Sequence, residues 1–197
     1  MKTKPHLVTT KKVVTTLLAI AAIFLVAFSF SRYRVAQNNA DIRGLVLTYY
    51  QALDNREYSL VTKLYTPEQP WATENYVNNI QLKMQAIDMK HVQAQKIYPA
   101  LVNGKFGIVG VLSESTNMYN GQESTLQEFN VLLVRYIDGR WYLAKPEDAK
   151  ELGEAKLNQL FDKYEEYLKN DSDDLKKVVA SQKEAYAKLK KGQGSQK

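Results

Sequence analysis

Three turn dipeptides, Asn103-Gly104, Asn120-Gly121 and Asp138-Gly139, place the strongest constraint on what this chain can fold into. Asn-Gly and Asp-Gly accept the left-handed backbone of a two-residue hairpin turn, and here each pair separates runs rich in apolar residues. Three hairpins in succession predict a four-stranded antiparallel meander. We expect its strands over His91–Val102, Lys105–Tyr119, Gln122–Ile137 and Arg140–Ala144.

The closing hairpin, "NVLLVRYIDGRWYLAKPED" at residues 130–148, also predicts the two faces of the sheet. A two-residue turn pairs Tyr136 with Trp141 and Val134 with Leu143. The apolar face then carries Leu132, Val134, Tyr136, Trp141 and Leu143, and the mixed face carries Leu133, Arg135, Ile137, Arg140 and Tyr142. A sheet of this kind is covered by helices on its apolar side.

Proline and glycine predict irregularities in the first two strands. Pro99 lacks a backbone N–H, so the first strand should be an edge strand or bulged at that position. Gly107 and Gly110 predict a bend or bulge in the second strand.

Helical periodicity precedes the sheet. Apolar residues at i, i+3, i+4 and i+7 predict a first helix capped by Asp41, a second ended by Pro67 and a third capped by Thr73. Their stripes are Ile42, Leu45, Val46, Tyr49, Tyr50 and Leu53, then Tyr58, Val61, Leu64 and Tyr65, then Tyr76, Ile80, Met84 and Ile87. The predicted fold class is α+β, with three helices on a curved meander over residues 41–146.

An uncharged apolar run, Val13–Phe30, lies near the start of the chain. Its 18 residues would extend about 27 Å as a helix, enough for the hydrocarbon core of a bilayer. Four lysines before it and two arginines after it place the N-terminus in the cytoplasm. We therefore expect a cytoplasmic tail at 1–12, a transmembrane helix at 13–31, a linker at 32–40 and an extracytoplasmic bulk. The alternative is a signal peptide that is cleaved after Ala27-Phe28-Ser29, followed by secretion.

Charge and cysteine content exclude several classes of function. The net charge of +6 arises in residues 1–40, which hold six basic residues and no acidic one, so residues 41–197 are neutral overall. A nucleic-acid-binding surface needs a local basic excess, so we expect no nucleic-acid partner. The chain has no cysteine, which excludes disulfides, thiolate metal sites and lipid attachment to a cysteine.

The segment after Pro146 predicts a helical hairpin over residues 147–191, followed by a disordered tail at 192–197. Its two narrow stripes, separated by "NDSDD" at 170–174, are Leu157, Leu160, Phe161, Tyr164 and Leu168, then Leu175, Val178, Val179, Gln182, Tyr186 and Leu189. We prefer a semi-independent arm that is available for self-association or for a partner helix. The alternative docks the hairpin on the mixed face, over Leu133, Ile137 and Tyr142.

The order of elements resembles the NTF2-like superfamily, whose fold is a cystatin-like α+β cone. The segments that carry the resemblance are "LVLTYYQALDNREYSLVTKLYTPE" and "NVLLVRYIDGRWYLAKPED", the opening helix pair and the closing hairpin. With the membrane segment, the layout is similar to VirB8-like conjugation components and to membrane-proximal domains of Gram-positive surface proteins. The resemblance implies a cone and, because this fold carries many functions, no single activity.

Enzymes of this superfamily project Asp, Tyr or His side chains into the cone. Here the candidates are an Asp88–His91 dyad and a Glu114–Glu128 pair, and for both we prefer a solvated surface position. Tyr49, Tyr50, Tyr136 and Trp141 are the candidates for lining a pocket, and core packing is the preferred interpretation for the tyrosines.

No catalytic motif, metal-ligand set or cofactor fingerprint occurs in the sequence. We therefore expect no cofactor and no enzymatic activity. The preferred function is a membrane-anchored, non-catalytic binding or assembly module with a protein partner or a second copy of itself. The alternative is a small-molecule-binding or enzymatic cone.

Overall fold

The computed structural model describes the backbone of residues 7–68, 70–119 and 121–168. Side chains are described from residue 24 onward within these ranges, except at 26, 28, 30, 70, 119, 146 and 149. The chain divides into two compact units, Met1–Asn38 and Asn39–Lys197.

In the first unit the described backbone is helical from Leu7 onward. Within the described residues, no helix is both long enough and apolar enough to cross a membrane. Most side chains of the predicted span Val13–Phe30 lie outside the described set. Those of Phe24 and Leu25, which are described, are exposed.

Three helices come first in the chain: α1 at Leu7–Asp54, α2 at Tyr58–Leu64 and α3 at Pro70–Ala86. Asp41 lies inside α1, so the predicted N-cap there is wrong; residues 31–40 contain neither glycine nor proline to end a helix. Thr73 also lies inside its helix, because α3 already begins at Pro70, a residue suited to the first turn.

The sheet is an antiparallel meander, as predicted. Its strands are β1 at Met89–Ile97, β2 at Leu101–Asn103, β3 at Phe106–Tyr119, β4 at Gln122–Ile137 and β5 at Arg140–Leu143. The strand order is β1-β3-β4-β5. Strand β2 pairs with β3 on the same side as β1 does. Tyr136 pairs with Trp141 and Val134 with Leu143, which confirms the predicted register of the closing hairpin.

The first predicted strand is interrupted at Pro99, which separates β1 from β2 at the edge of the sheet. The register shifts lie in β1, between Met89 and His91 and between Ala94 and Lys96. The pairing of β3 with β4 is continuous, so of the predicted bend or bulge in β3 the bulge is wrong. Glycine is needed there for close packing: a Cβ on Gly110 would lie 2.6 Å from a ring carbon of Phe129.

The first core fills the space between the three helices and the apolar face of the sheet. The predicted stripe of α1 is buried throughout, and Trp141 is 5% exposed beside Val134 and the partly buried Tyr136, as predicted. In α3 the buried side chains include Val77 and Met84. Ile87, predicted on that stripe, is exposed because it follows the end of the helix at Ala86.

A second core lies on the mixed face of the sheet. After a 3₁₀ turn at Pro146–Asp148 and the short helix α4 at Ala149–Leu152, helix α5 at Glu154–Tyr167 packs across this face. The buried members of this core include Ile108, Phe129, Val131, Leu133, Leu157, Leu160, Phe161, Tyr164 and Leu168.

The arm interpretation is therefore wrong for residues 154–168, because their stripe meets an apolar patch of β3 and β4 that the mixed-face pattern did not reveal. Leu133 lies in this core as the alternative predicted, whereas Ile137 and Tyr142 are only half-buried. The second predicted stripe, from Leu175 to Leu189, lies outside the described residues.

Candidate functional site

The four predicted pocket residues all contribute to the first core. Tyr49 and Tyr50, near the end of α1, are 7% and 6% exposed, and their rings meet edge to face at 5.3 Å. Tyr136 on β4 lies 5.2 Å from Trp141 on β5, measured between ring centroids. The arrangement has the close ring contacts of a packed aromatic cluster.

A chain of tyrosine hydroxyls crosses this core. The hydroxyl of Tyr65 hydrogen-bonds those of Tyr49 and Tyr76, and the ring of Tyr65 lies 6.2 Å and 5.3 Å from theirs. Burial raises the pKa of all three side chains, so they remain neutral phenols at physiological pH. The helical periodicity predicted that these tyrosines lie on apolar stripes. It did not predict that they bond to one another, although a buried phenol hydroxyl needs a hydrogen-bond partner.

Tyr50 points its hydroxyl at the sheet, where it hydrogen-bonds Ser113 and Asn130. The Asn130 side-chain amide donates to the Ser113 Oγ at 3.1 Å. Burial is the largest cause of the raised pKa of Tyr50, and these two hydrogen bonds oppose it. The hydroxyl is thus satisfied by neutral groups of the sheet.

A buried polar cluster lies next to this core, and sequence reasoning missed it. The Nζ of Lys145, a residue that is 1% exposed, donates to the Glu68 carbonyl at 3.0 Å and to the Thr73 Oγ1 at 2.6 Å. One Asp148 oxygen accepts from the Lys145 backbone N–H and from the Thr66 hydroxyl, each at 2.7 Å. These bonds connect the segment after α2 and the start of α3 to the segment after β5. The charged groups of Lys145 and Asp148 therefore hold the structure together at this point. The sequence feature that could have indicated this cluster is the presence of Lys145 and Asp148 around Pro146, directly after an apolar strand.

The Asp88–His91 dyad does not form, and both side chains lie at the surface, as the preferred interpretation predicted. Asp88 pairs with Lys90 at 2.7 Å, whereas the His91 Nδ1 lies 2.7 Å from the Oδ1 of Asp54 at the end of α1. The register shift between Met89 and His91 alters the spacing on which the dyad depended. His91 and Asp54 instead join α1 to the sheet.

The Glu114–Glu128 pair is also absent, because Glu114 pairs across the hairpin with Gln127 and Glu128 pairs with Ser113. Glu114 is partly exposed and accepts hydrogen bonds from the side chains of Gln127, Gln93 and Gln95, which lower its pKa. Neither pair therefore offers an acid and a base that face each other.

An open groove lies between α1, α2 and the β4–β5 turn. It has a volume of about 580 Å³, and its lining includes Leu45, Leu60, Leu64 and Trp141 with the charged residues Asp41 and Arg140. The indole N–H of Trp141 is buried and has no hydrogen-bond partner in the described part of the chain. Within the same part, no cluster of three metal-ligating side chains occurs.

No family profile and no curated protein matches this chain. Solved structures that it resembles include an NTF2-like protein with a cystatin-like fold from Novosphingobium aromaticivorans, with 15% identity and a TM-score of 0.43 over 57% of this chain and 81% of that one. Another is a proposed dehydratase of the NTF2-like family from Streptomyces avermitilis, with 11% identity and a TM-score of 0.45 over 55% of this chain and 94% of that one. The architecture itself is α+β, with helices packed against an antiparallel meander. At these identities and scores the likeness carries no ligand or activity to this chain.

Proposed function

We propose that this protein is a non-catalytic binding and assembly module, anchored in a bacterial cell membrane and with its bulk outside the cytoplasm. It would serve an envelope, conjugation or secretion complex. The observation that carries the proposal is that the space between helices and sheet is filled by the protein's own side chains. In that space an enzyme of this fold would hold its substrate.

The chemistry of the interior supports a binding role over a catalytic one. Tyr49, Tyr50 and Trp141 are each no more than 7% exposed. The two buried charged side chains in the described part of the chain, Lys145 and Asp148, make hydrogen bonds that fasten loops. General acid–base catalysis needs a titratable group within hydrogen-bond reach of a substrate, and these groups face protein atoms instead.

The membrane anchor rests on the sequence of Val13–Phe30 and on the basic residues that flank it. Protease added to intact cells is expected to digest residues 41–197 and to leave an N-terminal fragment in the membrane fraction. Recovery of a mature protein beginning near Phe30 in the medium would instead support the cleaved signal peptide and secretion.

A second candidate is a small-molecule binder that uses the groove beside Trp141. Its volume of about 580 Å³ lies within the range of about 300–1,000 Å³ typical of ligand sites. The unpartnered indole N–H beside it favours this candidate, since a bound acceptor could satisfy it after a small rearrangement. The groove is open to solvent and distinct from the filled interior.

A thermal-shift screen of the full chain separates the two candidates. The binding-module proposal predicts that small apolar and aromatic compounds leave the melting temperature unchanged. A ligand present at 100 times its Kd would add about 2.7 kcal/mol to the stability.

A stabilising compound would overturn the proposal in favour of the second candidate if Leu60→Lys, a change in the groove, abolished the effect. The matched control is Leu47→Lys, on an exposed leucine of α1 outside the groove lining, which should preserve it.

A further inference from the structure

The outer edge of β4 is open along half of the strand. Strand β5 pairs with β4 only at Val134–Ile137, whereas β4 begins at Gln122. All seven residues from Gln122 to Glu128 are exposed, so this stretch is covered on neither face. It has β3 on one side and no strand of the described chain on the other.

Backbone groups of three residues point out from this edge. The two-residue turn makes Tyr119 and Gln122 the closing pair of the β3–β4 hairpin, so even-numbered residues of β4 bond to β3. Glu123, Thr125 and Gln127 therefore direct their N–H and C=O groups outward. In the described part of the chain, no backbone or side-chain group bonds to these outward atoms.

The opposite edge of the sheet, formed by β1, is protected against pairing with another strand, unlike the β4 edge. Along β1, the Val92 N–H donates to the Asp54 carboxylate at 2.9 Å, and the Met89 carbonyl accepts from the Arg56 guanidinium. Two register shifts further distort that strand. Side-chain caps and bulges of this kind are how proteins prevent a sheet edge from pairing with another chain.

Within the described residues, the β4 edge has no such side-chain caps or bulges. Its sequence, "QESTLQE" at residues 122–128, contains no proline or lysine, and its pairing with β3 runs without a shift to Tyr119–Gln122. A regular, exposed edge without lysine, proline or bulge is a template for strand addition.

We propose that two copies of this chain pair through the β4 edge, antiparallel and about a two-fold axis at Thr125. This register pairs the three outward residues among themselves: Thr125 faces Thr125 of the second copy, and Glu123 faces its Gln127. Each such pair exchanges two backbone hydrogen bonds. Gln122 then faces Glu128, so no two like charges lie opposite each other.

This pairing specifies a partner for the proposed binding and assembly module, namely a second copy of the chain. Its biological role rests on the proposed function. The two fail separately. A monomeric chain would overturn the self-association and leave the binding-module proposal standing. A small molecule that binds in the groove and raises the melting temperature would overturn the binding-module proposal and leave the strand pairing unaffected.

Cysteine cross-linking of the full chain tests the register, because the chain has no cysteine of its own. In mild detergent under oxidation, Thr125→Cys should form a disulfide-linked dimer. Glu123→Cys and Gln127→Cys should cross-link efficiently only when the two variants are mixed. The matched control is Glu166→Cys on α5, an exposed position away from the edge, which should stay monomeric. Equal cross-linking of Thr125→Cys and the control would overturn the proposal.

Two lysine variants test the same pairing without a covalent bond. Thr125→Lys places two lysines opposite each other and should raise the dimer dissociation constant at least about tenfold, a like-charge penalty combined with loss of the threonine pair. Gln127→Lys adds the same charge opposite Glu123 of the second copy and should keep or tighten the dimer. Light scattering of the full chain measures both. A dimer that resists Thr125→Lys, or equal weakening by the two variants, would overturn the register.

Discussion

The Tyr164 hydroxyl on α5 accepts a hydrogen bond from the backbone N–H of Gly110 on β3, with 2.5 Å between oxygen and nitrogen. The carbonyl of Gly110 accepts from the Tyr98 N–H at 2.9 Å, just before Pro99 interrupts the edge. The edge strand is broken around Pro99, and the Gly110 N–H finds its acceptor in a tyrosine from another element. Helix α5 thus supplies a hydrogen-bond acceptor to β3 as well as packing on the mixed face of the sheet.

Tyr164→Phe should lower the free energy of unfolding by about 1–3 kcal/mol, because the buried Gly110 N–H loses its acceptor. Tyr167→Phe is the matched control: that tyrosine is 51% exposed, and the change should stay within about 0.5 kcal/mol. Urea titration of both variants provides the measurement. Equal effects from the two changes would show that the hydrogen bond contributes nothing to docking.

Gly110→Ala should also destabilise the protein, by about 1–3 kcal/mol, because its new Cβ would lie 2.6 Å from the Phe129 ring and 2.8 Å from the Tyr164 hydroxyl. Gly44→Ala is the matched control on α1, where a Cβ meets nothing within 4 Å. It should stabilise the helix by about 0.5–1 kcal/mol. If Gly110→Ala were neutral, the close packing of α5 against the sheet would be wrong.

The two tryptophans offer a comparison of buried and exposed positions. Trp141→Ala should cost about 3–5 kcal/mol because it empties a space in the first core. Trp71→Ala, at a residue that is 68% exposed, should change stability by about 0.5 kcal/mol or less. Chemical denaturation of both variants tests this, and a loss below about 1 kcal/mol for Trp141→Ala would mean that the closing hairpin does not cover the helices.

The sequence was informative wherever one local signal decided the structure. The Asp138-Gly139 turn alone fixes the partner of every residue in the closing hairpin, so the burial of Trp141 could be predicted. The spacing of Ile42 and its successors likewise predicts the buried face of α1. Both signals depend on a few neighbouring residues and on regular geometry.

Docking between distant elements could not be predicted in the same way. The interpretation of α5 as an arm counted only its own narrow stripe, and it missed that Gly110 leaves room on β3 for Tyr164. The partners of Tyr65 and Lys145 were missed for the same reason, since each hydrogen bond joins elements far apart in the chain. The surface positions of Asp88 and His91 were predicted, but the pairing of His91 with Asp54 was not, because it joins elements far apart in the chain.

High pH should unfold the protein cooperatively. Burial raises the pKa of Tyr49, Tyr65 and Tyr164 above the ordinary value of 10.0. The unfolded chain therefore releases these protons near pH 10, whereas the folded chain retains them. Their stabilising contribution is complete below pH 10 and is lost as the pH rises, by about 1.4 kcal/mol per pH unit for each tyrosine.

Stability measured against pH above 10 provides the test, with Tyr49→Phe as the matched variant. Removing one of the buried phenols should make the alkaline slope shallower by about 1.4 kcal/mol per pH unit. A slope identical to that of the unsubstituted chain would contradict the burial of Tyr49 as a neutral phenol.

The space between the three helices and the sheet is a packed core, and Tyr65→Phe tests this most directly. Tyr65 hydrogen-bonds two other phenols in that interior. As a core residue it should lose about 1–3 kcal/mol of stability on this change, because its partners are left unsatisfied. Residues that serve ligands are often held at a cost in stability, so their removal stabilises the free protein. A packed core predicts a lower free energy of unfolding for Tyr65→Phe in urea titration, and a higher free energy would contradict it.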